Sequence, residues 1–410
     1  MHETTQPAGS HCQRDGGIGF SLVADMGMVS RERIPLLSKS RFISGLQCHK
    51  RLYLECYERD LADEITEQQQ AIFDSGTDVG VLARSLYPGG ELILEDHFDH
   101  EGAVATTQGH LAKPVVPPLY EAAFLRHGVR IRADILAPAG QRQFDLIEVK
   151  STSKVKDEHI NDVAIQLYVL RDSGIPIRRA CLCHLDTSYL YEGAAYNLAR
   201  LFRVVDMTAQ CEALLPQIPS LLEQMRAVLA APEAPAVSTG RHCTYPYQCP
   251  FYGHCHVDQP EHHISQLPRA RAELLAALEN AGIDDIRAIP ADFPGLTPLQ
   301  QRVRKAVLTN RVYLDTALAR QLRLLQLPLH FLDFETFNPA LPLFRGTRPY
   351  QVIPFQWSLH TLQESGRLSH RDFLHDEQDD PRRAFAESLL RAVGAVGRIL
   401  VYSGFEAARL

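Results

Sequence analysis

Apolar positions recur along this chain in two rhythms, and the switches between them outline its elements. Over residues 157–172, Ile160, Val163, Ala164, Leu167 and Leu170 fall at the spacing that lines one face of a helix. Residues 40–54 (SRFISGLQCHKRLYL) predict a helix start and one amphipathic helix, and residues 67–86 a second helix. Residues 88–114 are rich in Gly, Asp and His and follow neither rhythm. Three strands are predicted at 115–124, 128–137 and 143–150, with Pro138-Ala139-Gly140 supplying turn chemistry between the last two. A further strand is predicted at 177–186 (IRRACLCHLD) and a helix at 207–230. The stretch 231–237 (APEAPAV) is linker-like, 266–325 reads as all-helical, and a strand-turn-strand unit runs from 330 to 357 behind Pro328.

This pattern predicts an α/β protein in four parts: a disordered leader at 1–36, a first domain at 37–260, a helical linker at 261–327, and at 328–410 the beginning of a second, truncated α/β domain. A length of 410 residues allows two or three domains at the usual ~100–200 residues each. With 45% hydrophobic and 22% charged residues the composition is that of a soluble globular protein. The formal net charge of −7 gives no global basic footprint, so binding to nucleic acid cannot be argued from total charge, and a local groove remains open to it. No run reaches the ~18 apolar residues of a membrane span, and the polar first 35 residues hold no apolar signal core. A cytoplasmic location without a membrane partner is therefore expected. Nine cysteines in such a compartment stay reduced, and clustered ones point to metal or cluster ligation.

The strongest candidate chemistry lies in the central hairpin. Asp134 and Glu148 flank a turn centred near Gln141, each seven residues from it, so a regular antiparallel pairing sets them opposite one another. Opposed Cβ atoms are ~4.5–5.5 Å apart, close enough for two carboxylates to share a hard divalent cation such as Mg2+. Lys150, two residues past Glu148, falls on the same sheet face, while Val149 points the other way into the core. A lysine there can orient a metal-bound water and offset phosphate charge. Glu121, in the preceding strand, can face the same site. Gln166, on the following helix, can reach the metal-bound water, Lys150 or DNA.

The segments RADIL, LIEVKSTSK and AIQLYVL, in that order and spacing, resemble the RecB-like PD-(D/E)XK nucleases. The resemblance implies a restriction-endonuclease-like core acting on DNA, with RNA as the alternative. It implies Mg2+ or Mn2+ on Asp134, Glu148 and the Val149 carbonyl, a catalytic Lys150, and Gln166 and Tyr168 completing the site. Many relatives carry a His after a Gly in the early helix. This chain reads Gly76-Thr77-Asp78-Val79-Gly80, so Gly80 stands where that His is expected, with Asp78 or Glu121 as possible substitutes.

Cys243, Cys249 and Cys255 are separated by five residues each in HCTYPYQCPFYGHCH, and Cys48 lies far upstream in LQCHKRLYL. Four thiolates suit an iron–sulfur cluster or structural zinc, with His242, His254 or His256 able to replace a late thiolate and Cys56 able to replace Cys48. The one-early, three-late arrangement resembles the iron–sulfur members of the RecB-like group, which implies a [4Fe-4S] cluster; the late spacing is wider than theirs. Cys181 and Cys183 read as core residues, and Cys12 and Cys211 as incidental.

Near the C-terminus, LHFLDFETFNP and VYSGFEAARL resemble the first two motifs of DEDD (DnaQ-like) exonucleases on an RNase H-like fold. Asp333 and Glu335, two apart on a strand, share one face and can hold metal for phosphoryl chemistry. Glu406 takes the second acidic position, and the last motif is missing. The whole layout resembles an uncharacterised bacterial family that joins an iron–sulfur RecB-like nuclease to an exonuclease-like domain through helices. A binding or assembly module with a degenerate site, and an enzyme whose activity resides in the C-terminal domain, are the competing expectations.

Overall fold

The computed structural model describes residues 34–409. Most of the expected leader, and Cys12 with it, lies outside the described residues.

The first sheet contains β1 (Leu37–Ser38), β2 (Glu91–Leu92), β3 (Leu119–Arg126), β4 (Val129–Pro138), β5 (Phe144–Val149), β6 (Ile177–Leu185) and β7 (Phe202–Asp206). Its order is β2-β3-β4-β5-β6-β7, with β1 added beside β4. β3, β4 and β5 form an antiparallel meander. The helix Asp157–Asp172 then crosses over and returns the chain as β6, parallel to β5. Its boundaries are those the apolar spacing predicts.

Helices cover both faces of this sheet. On one face Phe42, Leu52, Val163, Leu167, Leu170, Leu222 and Met225 pack against Ile131, Ala133, Leu136 and Leu146. On the other, Val79 and Ala83 of the helix Glu67–Arg84 meet Tyr120, Ile135, Ile147, Cys181 and Cys183. Cys181 and Cys183 are therefore core residues, as the sequence suggests. Each fully buried Ile or Leu contributes roughly 1.5–3 kcal/mol of transfer free energy, so both faces matter to stability.

The side chains of β3 and β4 change faces together. Ile131 and Ala133 belong to the first core, whereas Ile135 and Ala137 belong to the second. On β3 the change falls between Ala122 and Tyr120. The register is the same on both sides of it, Ala122↔Ala133 and Tyr120↔Ile135, and the ladder skips the step between them. The residues at the switch are Asp134 and Glu121, and Glu121 adopts a left-handed φ of 57°, a conformation rare outside Gly, Asn and Asp.

Three expectations need correction. The helix expected over 40–54 is two helices, Lys39–Gln47 and His49–Tyr57, separated by Cys48 in an extended conformation (φ −163°, ψ 123°). The Cys48 amide closes the first helix on Ser44 O, and its carbonyl opens the second by accepting from Leu52. The helix expected over 207–230 is broken at Leu215–Gln217, where Pro216 cannot supply the amide that a continuing helix needs. Residues 266–325 hold three short helices, Ala272–Asn280, Pro298–Thr309 and Thr316–Leu322. They are more than a linker, since Ile264, Leu267, Leu278, Ile286, Ile289 and Leu296 form a small core of their own.

The C-terminal segment forms a second sheet from β8 (Leu329–Phe337), β9 (Ile353–Leu362), β10 (Leu368–Leu374) and β11 (Arg398–Leu400), in the order β10-β9-β8-β11. β11 lies parallel to β8 after the helix Pro381–Val393. The loop between β8 and β9 reaches the first sheet: Ala340, Leu341 and Tyr350 pack into its second core. Thr347 O accepts from the Tyr191 amide, and the Gly346 amide donates to Tyr191 O. Among the described residues no helix is long and apolar enough to cross a membrane.

Candidate active site

The pairing of β4 with β5 is the one expected from a turn at Gln141: Ile135↔Ile147, Leu136↔Leu146 and Ala137↔Asp145. One step further along the same register sets Asp134 opposite Glu148. There the ladder gives way to a side-chain bond, the Val149 amide donating to Asp134 Oδ2 at 2.7 Å. Carried across the skipped step, the β3–β4 register likewise sets Glu121 opposite Asp134. Three carboxylates thus occupy one row across three neighbouring strands.

Glu148 is 1% exposed and is the most heavily engaged of the three. Its Oε1 accepts from Lys150 Nζ at 2.6 Å and Lys39 Nζ at 2.7 Å, and its Oε2 accepts from Gln166 Nε2 at 2.8 Å. Lys150 Nζ also stands 2.5 Å from Asp162 Oδ2, and Lys39 Nζ 3.5 Å from Asp162 Oδ1. Gln166 is fully buried, its Oε1 has no hydrogen-bond partner, and its Nε2 also donates to Asp162 O. The site is therefore an acid–base cluster wedged between the end of β5 and the helices Lys39–Gln47 and Asp157–Asp172.

The electrostatics follow from this crowding. Burial opposes the charge on Glu148, but Lys150 and Lys39 outweigh it and hold the carboxyl well below the usual range. Burial likewise opposes the charge on both lysines, and the surrounding carboxylates outweigh it and push them above the ordinary range. Asp134 behaves oppositely. Burial first, and then the neighbouring Glu148, push it up to about 7, and Lys39 and Lys150 offset them only in part.

Lys39 and Asp162 are site residues that the sequence reading misses. Asp162 is one helical turn before Gln166, which places both on one helix face; that spacing was a usable signal. Lys39 carried none, because its placement depends on the two-residue pairing of β1 with β4 at Leu37↔Val129 and Ser38↔Arg130. Ser38 then caps the helix Lys39–Gln47, accepting from the Arg41 amide.

The remaining expected residues divide. Glu121 is in the row, but its carboxylate is paired with Arg84 Nη2 at 2.9 Å. Val149 enters through its amide, and its side chain packs in the second core. Tyr168 is not brought to the site. Two residues beyond Gln166, it turns to another face of the helix, with its ring 5.7 Å from that of His127. Gly80 has open space beside it, since a Cβ there would meet nothing within 4 Å, and Asp78 is exposed.

Cys48, Cys243, Cys249 and Cys255 line one small pocket, together with His242 and Phe251. The break between the first two helices is what turns Cys48 toward the late loop. Gln47 Nε2 ties that loop down through His242 O and Tyr247 O at 2.6 and 2.7 Å. Burial pushes the Cys243 and Cys249 thiols up, and the neighbouring cysteines add to the effect. Tyr247, on the same loop, is also raised by burial and feels the charges of Lys150 and Asp162, so the loop borders the acid–base cluster. His254 is on the short helix Tyr252–His256, where His256 stacks on Tyr252 with ring centroids 3.7 Å apart. Cys56 and Cys211 lie with the first core. Among the described residues, no three His, Cys, Asp or Glu side chains already stand in metal-ligand geometry.

On the second sheet Asp333 and Glu335 are both exposed on one face of β8, as their spacing predicts, while Leu332 and Phe334 face its core. Glu406 is buried and caps its own short helix, accepting from the Ser403 amide and hydroxyl. Residues 330–410 match the family described as a domain of unknown function, DUF2779. The DUF2779 segment thus comprises nearly all of the second sheet and the loop that packs against the first. No curated protein and no solved structure matches the chain.

Proposed function

We propose that this chain is a metal-dependent nuclease of the RecB-like PD-(D/E)XK kind, hydrolysing phosphodiester bonds of DNA at the Asp134–Glu148–Lys150 site. One observation carries the reading. Asp134 Oδ2 accepts from the Val149 amide, next to a deeply buried Glu148 whose oxygen is held by Lys150, so two carboxylates that would hold a metal and a cationic group adjoin in one cluster. Burial and the neighbouring Glu148 raise Asp134, so a cation bound beside it would stabilise its charged form. Gln166 Nε2 donates to Glu148 Oε2, which fixes that carboxylate in place. Asp134 and Glu148 would hold Mg2+ or Mn2+, which lowers the pKa of a bound water and stabilises charge on phosphorus. Lys150 would orient that water or the phosphate, and Gln166 would fix Glu148.

For the cofactor we propose a [4Fe-4S] cluster, with structural Zn2+ as the alternative; the support is that Cys48, Cys243, Cys249 and Cys255 line one pocket and none of them is in a disulfide. The ligands would clamp the helix break at Cys48 to the loop bordering the active site. For the DUF2779 segment, the order β10-β9-β8-β11 and the exposed Asp333–Glu335 pair support the RNase H-like reading. A binding module with a degenerate site is the second reading. It is favoured by the saturation of Glu148 with three donors, by the Arg84–Glu121 pair and by the open space at Gly80. Titrating Mg2+ and Mn2+ against cleavage of single- and double-stranded DNA and RNA separates the two. Cation-dependent cutting supports the nuclease, and binding without cutting at any cation concentration replaces it with the second reading.

A further inference from the structure

We infer that the ammonium group of Lys39 occupies a second divalent-cation position, between Glu148 and Asp162, and competes with the ion for it. This rests on the metal-dependent reading above and adds to it a site distinct from the Asp134–Glu148 pair.

The position is built by three separate elements. Glu148 Oε1, from β5, stands 2.7 Å from Lys39 Nζ, and Asp162 Oδ1, from the crossover helix, stands 3.5 Å from it. Asp162 is 8% exposed, and its Oδ1 accepts no hydrogen bond although it is aimed at this cation. Two carboxylate oxygens converging on one positive group is the donor arrangement of a hard-cation site. Lys150 engages the other oxygen of Asp162 and shares Glu148 Oε1 with Lys39, so it would remain beside the incoming ion, leaving Asp162 Oδ1 to it.

Lys39 is suited to be displaced. An ammonium is a compact, strongly hydrated charge on a flexible four-carbon stem. The Lys39 side chain keeps 20% of its surface in solvent, which gives it a way out, whereas Glu148 beneath it keeps 1%. Its backbone is anchored by the β1 pairing and the Ser38 cap, so the side chain alone has to move. Exchange replaces one positive charge by two, which also relieves the carboxylate row. Two-metal sites place their ions ~3.5–4 Å apart, a separation that carboxylates bridging neighbouring positions can support.

Mn2+ binding to the full chain tests this without nucleic acid, by counting free Mn2+ through its paramagnetic resonance signal. The proteins are wild type, Lys39→Met, Lys39→Gln and Lys39→Met/Asp162→Asn, with unfolding curves to confirm the fold; the Gln variant serves if Met at this site prevents folding. Removing the tethered competitor is expected to tighten Mn2+ binding by ~10-fold or more, the scale of outer-shell effects on metal affinity. Adding Asp162→Asn is expected to cancel the gain. Equal or weaker binding by the Lys39 variants, with wild type binding Mn2+, overturns the inference and leaves the proposed function standing. No Mn2+ binding by any of these proteins overturns the metal-site reading and the inference with it.

Discussion

Asp134 and Glu148 show how neighbours separate two like groups. Both are carboxylates in one row, yet Glu148 is held ionised by two lysines and an amide, while Asp134 has a backbone amide and no cation in contact. The folded chain therefore binds a proton on Asp134 that the unfolded chain, near the ordinary ~3.9, gives up. A raised carboxylate costs stability as pH climbs from the unfolded value through the folded one, here from ~4 to about 7. In metal-free protein, Asp134→Asn is thus expected to raise the melting temperature at pH 8 and to give almost no gain near pH 4. Thermal unfolding across that range checks it; a gain that is largest at low pH would refute the assignment. Because two cations share Glu148, removing Lys150 still leaves it paired with Lys39. This avoids the ~3–5 kcal/mol penalty of an orphaned buried charge, and a Lys150 variant can be read for function.

Among the elements, the hairpin and the crossover helix were legible because turn chemistry and apolar spacing are local signals. Cys48 was legible as a candidate ligand, but the helix break that exposes it was not. SRFISGLQCHKRLYL has no Pro at the break, and nothing local in it marks Cys48 as extended. Lys39 was illegible for a related reason, since a two-residue strand pairing at Leu37–Ser38 leaves no periodic trace. Tyr168 was misplaced because a family motif was transferred without following the helix, on which positions two apart do not share a face. The proposed cysteine clamp predicts that wild type carries iron and sulfide, or zinc, and that Cys48→Ser loses it, measured as iron, zinc and sulfide per chain and as absorbance near ~400 nm. The variant should also lose stability, because metal binding to such a site is folding free energy. Equal metal content in variant and wild type would remove Cys48 from the ligand set.

At the scale of the whole molecule, the first sheet and the DUF2779 segment share a core. The β8–β9 loop inserts Ala340 and Leu341 beside Tyr189, Tyr196 and Leu198, and Tyr350 OH lies 3.0 Å from Ser151 Oγ, next to Lys150. The domain boundaries expected from composition do not register this shared core, because the loop's packing is wholly non-local. Ala340→Asp, a buried charge without a partner, should therefore lower hydrogen-exchange protection at Ile147 and Cys183 in the first sheet as well as in β8. Loss confined to β8 would mean that the two sheets open independently. The proposed chemistry is measured most directly by the rate of Mg2+- or Mn2+-dependent DNA cleavage by wild type, Asp134→Ala and Lys150→Ala. The account predicts cutting by wild type and a fall of ~10²-fold or more in each variant, with unchanged circular dichroism. Cleavage at the wild-type rate in both folded variants would contradict it.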